Sequence, residues 1–148
     1  YEGCAQMRLY LDTNILVFYL YNRDELSTDV KASLFDYSNT LLTSTVCVHE
    51  LIHLVQIGKV QAMERGRHKS IDPLTVVDAV RDAGLGIEQV SEKHLSVFAS
   101  LPLYDDHRDP ADRLIIAQAM ANRVPLVSSD RKFSRYARHG LSFVFNER

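Results

Sequence analysis

The chain has 148 residues, of which 46% are hydrophobic and 24% are charged, as in an ordinary globular protein with one adequate core. No apolar run reaches the roughly 18 residues that would span a bilayer, so no membrane association is expected. The net charge of −2 does not indicate a nucleic-acid-binding protein, and two cysteines are too few for a disulfide framework or a zinc site, which favours a reducing cytoplasm.

Segments that favour strands and helices alternate along the chain. Strands are predicted over 8–11, 40–43, 87–90 and 125–128, with 142–145 as a candidate fifth. Apolar periodicity and capping residues predict helices over 15–21, 28–37, 46–57, 74–83, 92–100 and 109–122, and a short basic helix after Asp130. This alternation predicts an α/β fold, a three-layer α/β/α sandwich with a central parallel sheet of four or five strands.

The first six residues do not fit this pattern. Residues 1–6 lack the basic and apolar regions of a signal peptide, and Met7 reads as a natural start. We interpret residues 1–6 as a tag remnant or a disordered leader, and residues 7–148 as a single domain.

Four acidic side chains stand at strand ends or near helix starts: Asp12, Glu50, Asp112 and Asp130. Parallel strands bring their carboxyl ends to one edge of the sheet, where ligands bind, so we expect these residues to lie together. Clustered carboxylates repel one another unless they hold protons or a divalent cation. The pattern therefore predicts a Mg²⁺- or Mn²⁺-dependent phosphodiesterase rather than a plain binding domain.

A purely structural interpretation of these acids stays open at this point. Asp12, Asp109 and Asp130 could each cap a helix, and Asp112 could complement a helix dipole. Capping explains Asp109 better than it explains Asp112. Taken together the acids are harder to explain in this way, because independent caps need not all be acidic.

Several neighbouring residues are assigned supporting or structural roles. Thr13 or Asn14 is predicted to cap the helix from Ile15 and to support Asp12. Ser128 is expected to support the site from the fourth strand. The loop residues Asp105, Asp106 and His107 are interpreted as solvated.

Basic residues form two clusters, and each is either a solvated face or a phosphate-binding surface. One contains Arg65, Arg67, His68 and Lys69. The other directly follows Asp130, and from it we take Arg131, Lys132 and Arg135, together with Arg113, as candidate contacts for a phosphate.

The segment His49-Glu50-Leu51-Ile52-His53 matches the H-E-x-x-H signature of zinc peptidases. A third histidine at metzincin spacing is missing, because position 59 is Lys59. A glutamate ligand, from among Glu64, Glu88 and Glu92, stays open. A zinc peptidase would leave the aspartates at the sheet edge unexplained, so it is the remote alternative.

Four segments together resemble the PIN domain, and more narrowly the VapC-type toxin ribonucleases of bacterial toxin–antitoxin pairs. They are Leu-Asp-Thr-Asn at 11–14, Val-His-Glu-Leu at 48–51, the string His-Arg-Asp-Pro-Ala-Asp-Arg-Leu-Ile-Ile-Ala-Gln-Ala at 107–119, and Val-Ser-Ser-Asp-Arg-Lys-Phe at 127–133. The resemblance covers residues 7–146 in the right order and spacing. Residues 56–74 match no motif of the family and are interpreted as a longer loop or helix near the substrate.

The resemblance implies a PIN-like fold and an endoribonuclease in which metal-activated water hydrolyses RNA phosphodiester bonds. Its catalytic and metal-binding residues would be Asp12, Glu50, Asp112 and Asp130, with Asp109 in a supporting role. The RNA would be contacted by the basic residues named above, which are Arg131, Lys132, Arg135 and Arg113. It also implies a homodimer and a cognate antitoxin that blocks the site, with 15–20 as a candidate docking surface. The alternative is a non-catalytic or housekeeping PIN-like module that binds or processes RNA.

Overall fold

A five-stranded parallel sheet forms the centre of the computed structural model, which describes residues 6–148. Its strands lie in the order β5-β2-β1-β6-β7, and two further strands, β3 and β4, form a separate hairpin. The strands are β1 (Arg8–Leu11), β2 (Thr40–Ser44), β3 (Ala62–Glu64), β4 (Arg67–Lys69), β5 (Gly86–Glu88), β6 (Leu126–Ser128) and β7 (Phe143–Phe145). The prediction for residues 1–6 falls, apart from Gln6, outside the described residues, and the single domain over 7–148 stays a prediction.

Six α-helices flank the sheet. They are α1 (Thr13–Tyr21), α2 (Thr28–Leu34), α3 (Thr45–Gln56), α4 (Val76–Asp82), α5 (Glu92–Ser100) and α6 (Pro110–Asn122), and short 3₁₀ helices cover Arg23–Glu25, Pro73–Thr75 and Arg131–His139. The predicted α/β sandwich with a central parallel sheet is confirmed, including its fifth strand.

The central strand β1 shows why the sheet is parallel and covered on both faces. Leu9, Tyr10 and Leu11 are consecutive, and all three are buried. Successive side chains of a strand point to opposite faces, so an unbroken apolar run requires cover on both. Each such side chain contributes roughly 1.5–3 kcal/mol on burial.

Short polar side chains begin most of the helices. The Asp12 carboxylate accepts a hydrogen bond from the Ile15 amide at 2.9 Å, and Asp109 accepts one from Ala111 at 2.9 Å. The prediction that Thr13 or Asn14 caps the first helix is wrong, because α1 begins at Thr13 and Asp12 is the cap. For three of the acids, namely Asp12, Asp109 and Asp130, the capping interpretation is therefore correct as a statement about local structure.

The segment 56–74 departs most from the sequence-based expectation. It contains the exposed hairpin of β3 and β4 instead of a loop or helix. Arg65 and Gly66, at the turn, have φ values of 52° and 75°. Two positive φ values match the tight turns that join twisted antiparallel strands. The turn was not predicted from the sequence, because arginine is not a residue typical of a position with positive φ.

Candidate metal centre

The topology brings the ends of β1 and β6 side by side. The two strands are paired in parallel, with Leu11 opposite Val127, and the Asp12 amide donates to the Val127 carbonyl at 3.3 Å. Asp12 and Asp130 therefore leave the sheet at the same edge, and their charges act on each other. Glu50 on α3 and Asp112 in the first turn of α6 are close enough to join this electrostatic cluster.

Asp12 is the most enclosed of the four acids, with 5% of its surface exposed. Burial raises the pKa of its carboxyl group from 3.8 to about 6, and the charges of Asp130 and Glu50 add to the rise. Hydrogen bonds from the Ser128 side chain and the Ile15 amide oppose it. The hydroxyl oxygen of Ser128 also accepts from the Asp130 amide at 3.0 Å, so Ser128 links two of the acids.

Asp112 is the second strongly perturbed acid. Burial raises its pKa from 3.8 to about 7, and the charges of Asp109, Asp12, Glu50 and Asp130 follow in that order. Among residues 6–148, none of the four acids pairs with a lysine or arginine. Uncompensated charge of this kind favours bound protons or a bound cation.

The other predicted supporting residues lie at different distances from the acids. Asp109 is exposed, and its charge contributes to the raised pKa of Asp112. The Thr13 side chain hydrogen-bonds the buried Cys47 thiol, and Asn14 is exposed on α1. The Ser128 side chain thus contacts the acidic cluster, whereas the Thr13 side chain contacts a core residue.

His107 belongs to the site and was missed by sequence reasoning. The expectation that it is a solvated loop residue is wrong, since only 4% of it is exposed. Its Nε2 lies 3.5 Å from Asp112 Oδ2, and one ligand atom each from His107, Asp112 and Asp130 fall within 4.8 Å of one another. The available signal was its position, five residues before Asp112 and next to the start of α6.

The candidate RNA contacts divide into three groups. The Arg131 guanidinium lies 4.6 Å from the Phe145 ring centroid and its residue is exposed. Lys132 Nζ donates to the Asp106 carbonyl at 3.0 Å, and Arg135 forms a two-point ion pair with the Asp106 carboxylate, whose pKa the Arg135 hydrogen bond lowers to about 2. Asp106 is thus held by basic residues and is not merely a solvated loop residue.

The position of Arg113 differs from the prediction that it contacts RNA. It is buried, and its Nη2 donates to the Leu101 carbonyl at 3.2 Å while the guanidinium lies over the Phe98 ring at 4.7 Å. Its predicted contact with RNA is wrong, because the charged group anchors the loop before α6 and does not reach the surface.

The zinc-peptidase alternative gains no support from the structure. His49 and His53 are both exposed on α3, whereas Glu50 is half-buried and faces the acids. Within the described part of the chain, the group that could hold a metal consists of other residues, and no third ligand joins these two histidines.

The structure also differs from the expectation that residues 15–20 form a surface for antitoxin docking. Four of its six residues are buried in the core: Ile15, Leu16, Phe18 and Tyr19. Val17 and Leu20 are only partly buried, and they line a groove of about 790 Å³ together with Val60 and Met63 near the hairpin.

One of the comparisons with known proteins identifies a family. A family model described as the PIN domain matches residues 9–139. No curated protein matches the chain. None of the helices in residues 6–148 is long and apolar enough to cross a membrane.

Three of the solved structures of similar fold come from bacterial complexes. VapBC2 of Rickettsia felis, bound to a promoter DNA fragment, is 20% identical with a TM-score of 0.64, over 95% of this chain and 100% of that one. VapBC-1 of nontypeable Haemophilus influenzae is 17% identical with a TM-score of 0.61, over 94% and 98%. A toxin–antitoxin complex of Klebsiella pneumoniae is 18% identical with a TM-score of 0.62, over 92% and 95%. At these identities the likeness shows the fold.

Proposed function

Because the chain belongs to the PIN domain family, we propose that it is a divalent-metal-dependent endoribonuclease that serves as the toxin of a toxin–antitoxin pair. The observation that carries the proposal is the meeting of Asp12, Glu50, Asp112 and Asp130 at one edge of the sheet without a lysine or arginine partner among the described residues. A binding module would gain nothing from this arrangement, since ionised carboxylates that repel one another destabilise the fold.

The donor set fits a hard divalent cation. Mg²⁺ and Mn²⁺ take carboxylate oxygens, and the pKa values of Asp12 and Asp112 are raised by burial first and then by the charges of the neighbouring acids, which a bound cation would offset. When bound, the cation would activate water and polarise the phosphodiester. We assign its binding to Asp12, Asp112 and Asp130, with Glu50 completing the set.

The residues of the chain hold this arrangement in place. Two hydrogen bonds, from Ser128 and from the Ile15 amide, orient the Asp12 carboxylate. Lys132 and Arg135 bind Asp106, whereas Arg131 is an exposed cation next to Asp130 that makes no hydrogen bond or ion pair with Asp106. We therefore assign the first contact with an RNA phosphate to Arg131.

The activity can be tested with the purified protein and end-labelled single-stranded RNA. We expect cleavage in Mg²⁺ or Mn²⁺, no cleavage in EDTA, and loss of cleavage in Asp12→Asn and Asp130→Asn. Asp72→Asn is the matched control, because Asp72 is also an aspartate N-cap, accepting from the Leu74 amide at 3.0 Å, but it is exposed. Cleavage that survives EDTA, or that persists in Asp12→Asn, would overturn the proposal.

The toxin role needs a test in cells. Induction of the chain in a bacterial host should arrest growth and create discrete new RNA ends, whereas Asp12→Asn should do neither. Harmless expression of the folded parent, with intact RNA, would favour a non-catalytic or housekeeping module instead.

The partners are part of the same proposal. The three bacterial structures described above are VapBC or toxin–antitoxin complexes, which supports a cognate antitoxin for this chain, and we propose a homodimer in the cytoplasm. A genomic library from the source organism should contain clones that relieve the arrest, and the encoded protein should co-purify with the chain. A single-chain mass in light scattering would refute the dimer.

A further inference from the structure

One buried nitrogen in the site, Nε2 of His107, makes no hydrogen bond within the described residues. His107 is 96% enclosed, as only 4% of it is exposed, and its Nε2 forms no hydrogen bond within residues 6–148. The nearest charged oxygen is Asp112 Oδ2 at 3.5 Å, which is longer than an ordinary N–H···O bond. A buried ring nitrogen without a hydrogen bond, close to a cluster of carboxylates, is suited to hold a cation when it carries the lone pair.

A hydrogen bond and aromatic packing fix the Nδ1 side of the His107 ring. His107 Nδ1 lies 2.9 Å from the Tyr136 hydroxyl oxygen, and the ring packs edge-on against Phe133 and Tyr136 with centroid separations of 5.4 and 5.5 Å. Phe133 and Tyr136 are themselves buried. When Nδ1 carries the proton and donates to Tyr136, the Nε2 lone pair faces the acids, as in histidines whose outer hydrogen bond orients them toward a metal.

The distances suit a shared ion after a small adjustment. The ligand atoms of His107, Asp112 and Asp130 lie within 4.8 Å of one another. Two ligands of one ion with bonds of about 2.1 Å are roughly 3–4 Å apart. The three groups come from the loop before α6, from α6 and from the end of β6, and movements of roughly an ångström in their side chains would bring the ligand atoms to such separations.

We propose that His107 Nε2 is a direct ligand of the cation held by Asp112 and Asp130. The centre then has mixed nitrogen and oxygen ligands instead of carboxylates alone. Imidazole suits transition metals, whereas Mg²⁺ prefers oxygen, so the chain takes Mn²⁺ in preference to Mg²⁺. This inference rests on the proposed function in one respect, because it places the ion at the same acids.

Pulsed electron paramagnetic resonance of the unaltered protein, loaded with one equivalent of Mn²⁺ and free of RNA, tests the ligand directly. A ¹⁴N coupling of the size typical for directly bound imidazole is expected. Bound Mn²⁺ without such coupling would overturn the inference, and the measurement requires no variant that might fail to fold.

Titration calorimetry gives an independent measure. We expect His107→Gln to weaken Mn²⁺ binding by at least about tenfold and to bring the affinities for Mn²⁺ and Mg²⁺ closer together. Tyr136→Phe keeps Nε2 but removes its outer partner, so it should weaken Mn²⁺ binding less. His53→Gln is the control, because His53 is exposed on α3. Equal Mn²⁺ affinity in folded His107→Gln and His53→Gln would refute the role of His107.

The two proposals fail in different ways. RNA cleavage in Mn²⁺ together with a missing nitrogen coupling removes only the ligand role of His107. Absence of both RNA cleavage and Mn²⁺ binding removes the nuclease and, with it, the metal centre.

Discussion

Replacement of Asp12 by asparagine should stabilise the metal-free protein, even though it removes a proposed catalytic residue. Asparagine is as good an N-cap as aspartate, so the hydrogen bond from the Ile15 amide can be kept. What the substitution removes is a buried negative charge that lies near Asp130 and Glu50.

The magnitude follows from the raised pKa of Asp12. A rise of the pKa from 3.8 to about 6 corresponds to a change of about 3 kcal/mol in the free energy of unfolding, as an upper value, at 1.36 kcal/mol per pH unit. Because the folded-state pKa is above the unfolded one, ionisation of Asp12 destabilises the fold. This destabilisation by the ionised Asp12 carboxylate is complete above pH 6, decreases as the pH falls from 6 to 3.8, and is absent below that range.

Thermal unfolding in EDTA, at several pH values, measures the effect. At pH 7.5 we expect Asp12→Asn to unfold at a temperature higher by roughly 5–10 °C, since 1 kcal/mol shifts a chain of this size by roughly 2–4 °C. The gain should disappear near pH 3.5. Asp72→Asn should show no change at either pH, because that cap is exposed. A melting temperature of Asp12→Asn equal to or below that of the parent at pH 7.5 would refute the reasoning.

Three further outcomes are expected. Mn²⁺ at 100 times its dissociation constant should stabilise the parent protein by about 2.7 kcal/mol. It should leave the stability of an Asp112→Asn, Asp130→Asn double variant unchanged. Equal shifts of the melting temperature in both proteins would place the ion elsewhere. Arg113→Met should lower the free energy of unfolding in urea by roughly 2–4 kcal/mol, because it leaves the Leu101 carbonyl without its buried donor, and an unchanged midpoint would contradict that anchor. In a Cys4→Ser background, Cys47 should react with a thiol reagent at pH 8 only after denaturation, since burial raises its pKa to about 12; rapid labelling of the folded chain would show that the thiol is accessible.

Much of the fold could be predicted because its signals are local. The alternation of strand and helix, the Asp-Pro start of α6 and the buried run of β1 depend on residues that are neighbours in sequence. The hairpin at 62–69 was not predicted, because its turn places Arg65 at a positive φ. A glycine or asparagine at that position would have indicated the turn.

The acids of the candidate site could also be placed from the sequence, for a topological reason. Strands that run in parallel deliver their carboxyl ends to one edge, so Asp12 and Asp130 had to leave the sheet together once the strands were assigned. The same argument does not extend to residues in loops, since the path of a loop is not periodic.

The α/β architecture, most of the helix caps and the set of acids can be predicted from neighbouring residues, because periodicity, capping chemistry and parallel topology leave local patterns. Which polar side chains lie near those acids depends on tertiary packing. The fold buries His107 against Asp112 and Tyr136, turns Arg113 toward the Leu101 carbonyl and pairs Arg135 with Asp106. These partners lie on different elements, so their contacts depend on how loops and helices pack, and no local pattern records them.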